Sequence, residues 1–100
     1  MVKHIILWKL KENLSEEEKQ AVMAKAKTGL EGLLGQIDGL TDIHVQTEKL
    51  PSSNADMMLD STFVDAAALA GYQVHPAHVA VASGIVRPNA EVRLCLDFEA

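Results

Sequence analysis

Tyr72, His75 and His78 fall within seven residues, in the run Gly71-Tyr72-Gln73-Val74-His75-Pro76-Ala77-His78-Val79. The chain has two other histidines, His4 and His44, and no other tyrosine, so its proton-handling side chains are concentrated here. A neutral imidazole, with a reference pKa of about 6.5, accepts a proton at pH 7. A phenol beside it can donate a hydrogen bond to a carbonyl oxygen and stabilise the enolate that forms as the α-proton leaves. Tyr72 and His78 are therefore the candidate catalytic pair, suited to aldol, isomerase or other enol-type chemistry in a dry pocket. Binding without chemistry, or a core tyrosine beside a histidine that caps a carbonyl, are the competing readings.

Geometry decides whether the pair can act. On an unbroken helix, residues six apart differ by about 120° around the axis and do not converge. Pro76 lacks an amide hydrogen and disfavours helical backbone at His75, so a helix through this run breaks near Val74 and can swing His78 back toward Tyr72. His75 and His78 also have the i, i+3 spacing of a metal pair. Pro76 disturbs that spacing and no third ligand is local, although His4, His44, Asp60 or Asp97 could be brought near by the fold. The site is read as metal-free, with no cofactor.

The elements that must hold these residues follow from periodicity. Val2 to Leu10 reads as a strand with His4, Ile6, Trp8 and Leu10 on one face and Lys3, Ile5, Leu7 and Lys9 on the other. Both faces carry large apolar residues, which predicts burial on two sides. Ser15-Glu16-Glu17-Glu18 reads as a helix start with a capping box between Ser15 and Glu18. Val22, Ala26, Leu30, Leu33 and Ile37 then recur at helical spacing, widened by Met23 and Leu34, up to the stop signals Gly35 and Gly39. Val22, Ala26 and Gly29 are small. Close packing on the sheet explains them, and so would space left beneath the helix for a ligand.

A strand from about Leu40 to Leu50, the turn Pro51–Asn54 and a strand from about Ala55 to Phe63 should pair as an antiparallel hairpin, with Met57, Leu59, Ser61 and Phe63 on one face. Asp65 is a plausible N-cap for a helix over Ala66 to Gln73, and Pro76 suits the first turn of a short helix through Ser83. Gly84, Pro88 and Asn89 make a loop before a last strand, Glu91 to Glu99. There Val92, Leu94, Leu96 and Phe98 oppose Arg93, Cys95 and Asp97. The order is β-α-β-β-α-β, an α+β ferredoxin-like fold with both helices on one face of a four-stranded sheet. An apolar second face is most simply covered by a second copy, sheet on sheet, as a homodimer.

Composition narrows the function. One hundred residues, nearly half of them apolar, are expected to form one soluble domain, residues 1–100. A net charge of −5 without any Lys- or Arg-rich run argues against nucleic acid. The apolar run Ile5-Ile6-Leu7-Trp8 is too short for a membrane span, and the lone Cys95 fits a reducing compartment, so a cytoplasmic protein is expected.

The opening Val2-Lys3-His4-Ile5-Ile6-Leu7-Trp8-Lys9-Leu10-Lys11, the element order, and Tyr72 before His75-Pro76-Ala77-His78-Val79 together resemble the stress-responsive A/B barrel family. The resemblance spans essentially the whole chain. It implies a dimeric α+β barrel with a cavity between each sheet and its own helices. One branch of that family comprises plant polyketide cyclases that make olivetolic acid by an aldol condensation without metal or organic cofactor. Its catalytic tyrosine and histidine match Tyr72 and His78, and a pocket histidine matches His4. Aromatic residues of that pocket's first helix correspond to Val22 and Ala26, a departure that separates the substrate from the chemistry. Trp8 with Tyr72 also resembles cofactor-free monooxygenases of the same fold, but no second tyrosine accompanies them. The expected ligand-binding residues are His4, Ile6, Trp8, Val22, Ala26, Leu59 and His75, around a carbonyl-containing small molecule. A non-catalytic stress-response or ligand-carrying dimer is the alternative.

Overall fold

In the computed structural model, which describes residues 1–100, Val2–Leu10 forms the central strand β1. Antiparallel partners flank it: β3 (Met57–Phe63) on one side and β4 (Ala90–Glu99) on the other, with β2 (Leu40–Gln46) outside β3. Between β1 and β2 runs helix α1 (Glu16–Glu31). Between β3 and β4 run α2 (Ala66–Val74) and α3 (Pro76–Val81). The strand order β2-β3-β1-β4 is the split βαβ arrangement, an α+β ferredoxin-like fold.

Local chemistry sets the helix starts. The Ser15 hydroxyl accepts from the Glu18 amide at 3.1 Å while the Glu18 carboxylate accepts from the Ser15 amide at 2.9 Å, completing the capping box. Asp65 caps α2 by accepting from the Ala68 amide at 2.8 Å. Met23, Ala26 and Leu30 are the buried face of α1. A methyl group built on Gly29 would lie 3.0 Å from Val81, so this glycine is small because α1 and α3 pack closely there. α1 ends four residues before Gly35. Leu33 and Ile37 remain buried in the turns that follow, whereas Leu34 is exposed. Gly39, with φ of 82°, passes so near α2 that a side chain would meet the Ala68 methyl at 2.4 Å.

β2 and β3 form the expected hairpin but are shorter than the sequence pattern suggested. β2 stops at Gln46, opposite Met58, and β3 starts only at Met57. Asp56 leaves the ladder: its amide donates to the Trp8 carbonyl and its buried carboxylate takes the Leu10 amide at 2.8 Å and the Lys49 ammonium. The register makes β1 two-faced. His4, Ile6 and Trp8 lie opposite Ser61, Leu59 and Met57 of β3 and opposite Asp97, Cys95 and Arg93 of β4, beneath the helices. The other face carries Leu7, Val92, Leu94, Leu96 and Phe98, all exposed in the single chain. Burial on both sides, as β1 led one to expect, is therefore not reached within one chain. No helix is long and apolar enough to cross a membrane.

The segment after α2 departs most from expectation. Instead of a helix through Ser83 and a loop, α3 is followed by a wide π turn, Ala82–Val86, and a 3-10 turn, Arg87–Asn89. Asn89 secures this segment by donating to the Ile85 carbonyl at 2.7 Å, and Val86 is buried.

Candidate ligand-binding cavity

The wide turn leaves a cavity of about 460 Å³ over the helix-side face of the sheet. His4, Ile6 and Trp8 of β1 and Leu59 of β3 line it from below. Gln73, His78, Ala82 and Val86 line it from the helical side, and Leu30 closes it toward α1. Arg87, Glu91 and Arg93 complete the wall at β4.

His78 reaches this cavity because the helix is broken. His75 is extended, with φ of −67° and ψ of 131°, and Pro76 takes the first position of α3. The imidazole Nδ1 of His75 accepts from the Ala77 amide at 3.1 Å, so this side chain caps α3 and does not line the cavity. The redirected chain brings the His78 and Tyr72 rings to 4.1 Å between centroids, tilted by 35°. Nδ1 of His78 lies 3.3 Å from the Gln73 carbonyl. A carbonyl only accepts, so this nitrogen carries the proton and Nε2 holds the free lone pair. Burial is the main cause that lowers the His78 pKa from its ordinary value. The Gln73 carbonyl opposes it, and His4, Arg87 and Arg93 add to it. His78 is thus a neutral base at pH 7.

Tyr72 is 0% exposed and stands behind the cavity wall. Its ring meets those of Phe63 and His4 edge-on, at 5.0 and 6.0 Å. The hydroxyl has no hydrogen-bond partner, a deficit worth about 1–3 kcal/mol for a buried group. Burial pushes the phenol pKa far above its ordinary value, against the weaker pull of Arg93, so Tyr72 remains a donor across the working pH range.

His4 is nearly buried and its Nδ1 is paired with the Asp97 carboxylate directly across the β1–β4 ladder. Nδ1 donates to that carboxylate, which fixes the orientation of the ring. Its backbone carbonyl accepts from the Ser61 hydroxyl at 2.9 Å. Cys95 adjoins the pair, with its sulfur 3.4 Å from Asp97 Oδ1, and the three metal-competent atoms of His4, Cys95 and Asp97 lie within 4.8 Å of one another. Burial, then the Asp97 carboxylate, raise the Cys95 thiol pKa, so it is not a ready thiolate; it is exposed rather than packed in the core.

Five of the residues singled out by sequence line the cavity: His4, Ile6, Trp8, Leu59 and His78. Val22 and Ala26 do not; Ala26 is fully buried in the core and Val22 packs against that core. Gln73, Arg87 and Arg93 were not singled out for the site, and Asp97 only as a remote metal ligand. A register reading that set Trp8 against Arg93 and His4 against Asp97 would have found the last two.

A split βαβ sheet with helices on one face, an uncovered apolar face and a cavity under the second helix define an α+β barrel protein of the dimeric type. The chain belongs to the stress-responsive A/B barrel domain family, whose model matches residues 2–100. A dimeric protein of unknown function with a ferredoxin-like fold from Bacteroides fragilis is 34% identical, over 99% of this chain and 95% of that one, with a TM-score of 0.93. A member of the same family from Mesorhizobium loti, also ferredoxin-like, is 25% identical over 99% of this chain and 95% of its own, with a TM-score of 0.75. A hydroxynitrile lyase from Passiflora edulis, 19% identical over 97% of this chain and 90% of its own, shares the fold with a TM-score of 0.72. No curated protein matches the chain in sequence.

Proposed function

We propose that this protein is a homodimer whose cavity binds a carbonyl-containing small molecule and promotes proton transfer at its α-carbon without a cofactor, as in an aldol cyclisation or an isomerisation. The observation that carries this reading is His78 on the cavity wall, with the Tyr72 ring stacked directly behind it and His78 Nδ1 tied to the Gln73 carbonyl. Nε2 of His78 takes the α-proton. Charge develops on the ligand's carbonyl oxygen, and the Tyr72 hydroxyl, a donor with no acceptor of its own, stabilises it. Ile6, Trp8 and Leu59 supply apolar surface for the body of the ligand. The His4–Asp97 pair holds a second imidazole fixed on the opposite wall. Asp97 acts as a positioning residue for it.

The dimer is inferred from the exposed apolar face of β4 and from the dimeric state of the Bacteroides fragilis relative. One observation favours the second reading, a non-catalytic ligand-carrying dimer: Tyr72 has no exposed surface and stands outside the cavity lining. The two readings separate in deuterium oxide. Catalysis predicts that the protein accelerates loss of the α-protons of heptan-2-one, followed by NMR, and that His78→Ala abolishes the acceleration. Binding of the ketone with no acceleration supports the carrier.

A further inference from the structure

We propose that the ligand of this cavity carries a carboxylate beside its carbonyl, held by Arg87 and Arg93. The inference rests on the carbonyl-binding reading above and specifies the rest of the molecule.

The chain has two arginines, and both line the same cavity. None of its seven lysines does. In a protein of net charge −5, two unpaired cations at one cavity run against the overall charge. Neither guanidinium has a carboxylate partner among the ion pairs of the molecule: Lys3, Lys9, Lys27, Lys49, His4 and His44 hold those positions. Arg87 contacts only the Ser83 hydroxyl, at 3.3 Å. The single acid on the wall, Glu91, is turned to Lys9 at 3.6 Å, so the arginines keep their charge uncompensated.

Their positions come from different elements. Arg93 rises from β4 in register with Trp8, and Arg87 descends from the junction of the π and 3-10 turns. The two therefore flank the cavity from the sheet side and the helical side. Both line the cavity that His78 lines, so one small molecule there can meet the imidazole and the guanidinium groups together. A guanidinium matches a planar carboxylate with two parallel N–H···O bonds, which lysine cannot do. Phosphate sites add backbone amides at a helix N-terminus. Here the Ala77 amide of α3 is already taken by His75, leaving guanidinium chemistry alone. A keto acid with an aliphatic body fits this division: carbonyl toward His78, body on Ile6 and Trp8, carboxylate toward the arginines.

The test compares 4-oxooctanoate with its methyl ester, which differ in charge and little else. Affinities are measured by titration calorimetry at pH 7.5, and the His78 ring resonance is followed by NMR through a pH titration. The acid should bind at least ten-fold tighter than the ester. Arg87→Gln and Arg93→Gln, both at exposed positions that the fold does not need, should each bring the acid-to-ester ratio toward one. Bound acid, by compensating both arginines, should also move the His78 titration to higher pH, which the ester should not do. Equal binding of acid and ester, or an unchanged ratio in both variants, overturns the carboxylate assignment and leaves the carbonyl reading standing. Binding of neither compound overturns both.

Discussion

Tyr72 and His78, six residues apart in sequence, stand with ring centroids 4.1 Å apart because the helix that would have separated them is broken between. One extended residue, His75, turns the chain. The proline after it prevents the helix from healing, and the Gln73 carbonyl holds the displaced imidazole by its protonated nitrogen. An imidazole that stays neutral is thereby set on the cavity wall, with a phenol that stays protonated stacked behind it.

Replacing Pro76 by alanine removes the constraint. The stack should loosen, seen as loss of the ring-current shift on the His78 protons, and α-proton exchange should fall at least ten-fold. Stability should change by only about 1 kcal/mol, the usual scale of a proline's effect on the unfolded chain. A retained shift with unchanged exchange would mean that the Gln73 contact alone holds the geometry.

Tyr72→Phe should separate stability from activity. It removes a buried hydroxyl with no partner, so urea denaturation should show the variant to be equal to wild type or about 1 kcal/mol more stable. Exchange activity should fall about 10²-fold, the scale of one donor to a developing oxyanion. A large loss of stability would show that the hydroxyl is satisfied in solution.

His78 sets the pH dependence. Its folded pKa lies below the ordinary value of about 6.5, so the base remains competent at pH 6.5 and activity is lost only as pH falls through the lower folded pKa. Between those two pH values the unfolded chain binds more protons than the folded one, and stability falls as pH falls. Denaturation midpoints measured from pH 7.5 downward should show that decline, and His78→Ala should flatten it.

Asp97→Ala frees the His4 ring. The carboxylate is more than a third exposed, which limits the stability loss to about 1 kcal/mol. The sharper effect should be on ketone binding, weakened as one wall of the cavity becomes mobile, and visible as exchange broadening of the His4 ring signals. Unchanged His4 signals would contradict a positioning role.

The sheet face offers a separate test. Leu94 and Leu96 are 62% and 63% exposed in the single chain, so glutamate at both positions should leave the fold intact by circular dichroism while shifting sedimentation from dimer to monomer. A double variant that still sediments as a dimer would place the interface elsewhere.

What the sequence revealed divides by range. The capping box at Ser15, the helix break at Pro76 and the strand faces of β1 and β4 are local, decided by a few neighbouring residues, and were legible. The pairing of His4 with Asp97 spans almost the whole chain and depends on the β1–β4 register, which alternation alone does not reveal. The turns over Ala82–Asn89 read as the end of a helix at Ser83 and a loop from Gly84, which concealed Arg87 as a cavity residue. Val22 and Ala26 illustrate the opposite limit: helical spacing identified the inward face of α1 but not what it meets, and packed core occupies that space.

The most direct measurement is a crystal structure of the protein soaked with 4-oxooctanoate. The account predicts the ketone oxygen within hydrogen-bond distance of the Tyr72 hydroxyl, an α-carbon facing Nε2 of His78, and the carboxylate at Arg87 and Arg93. A ligand bound in the cavity with the Tyr72 hydroxyl still unpartnered and His78 facing away from the ketone would contradict it.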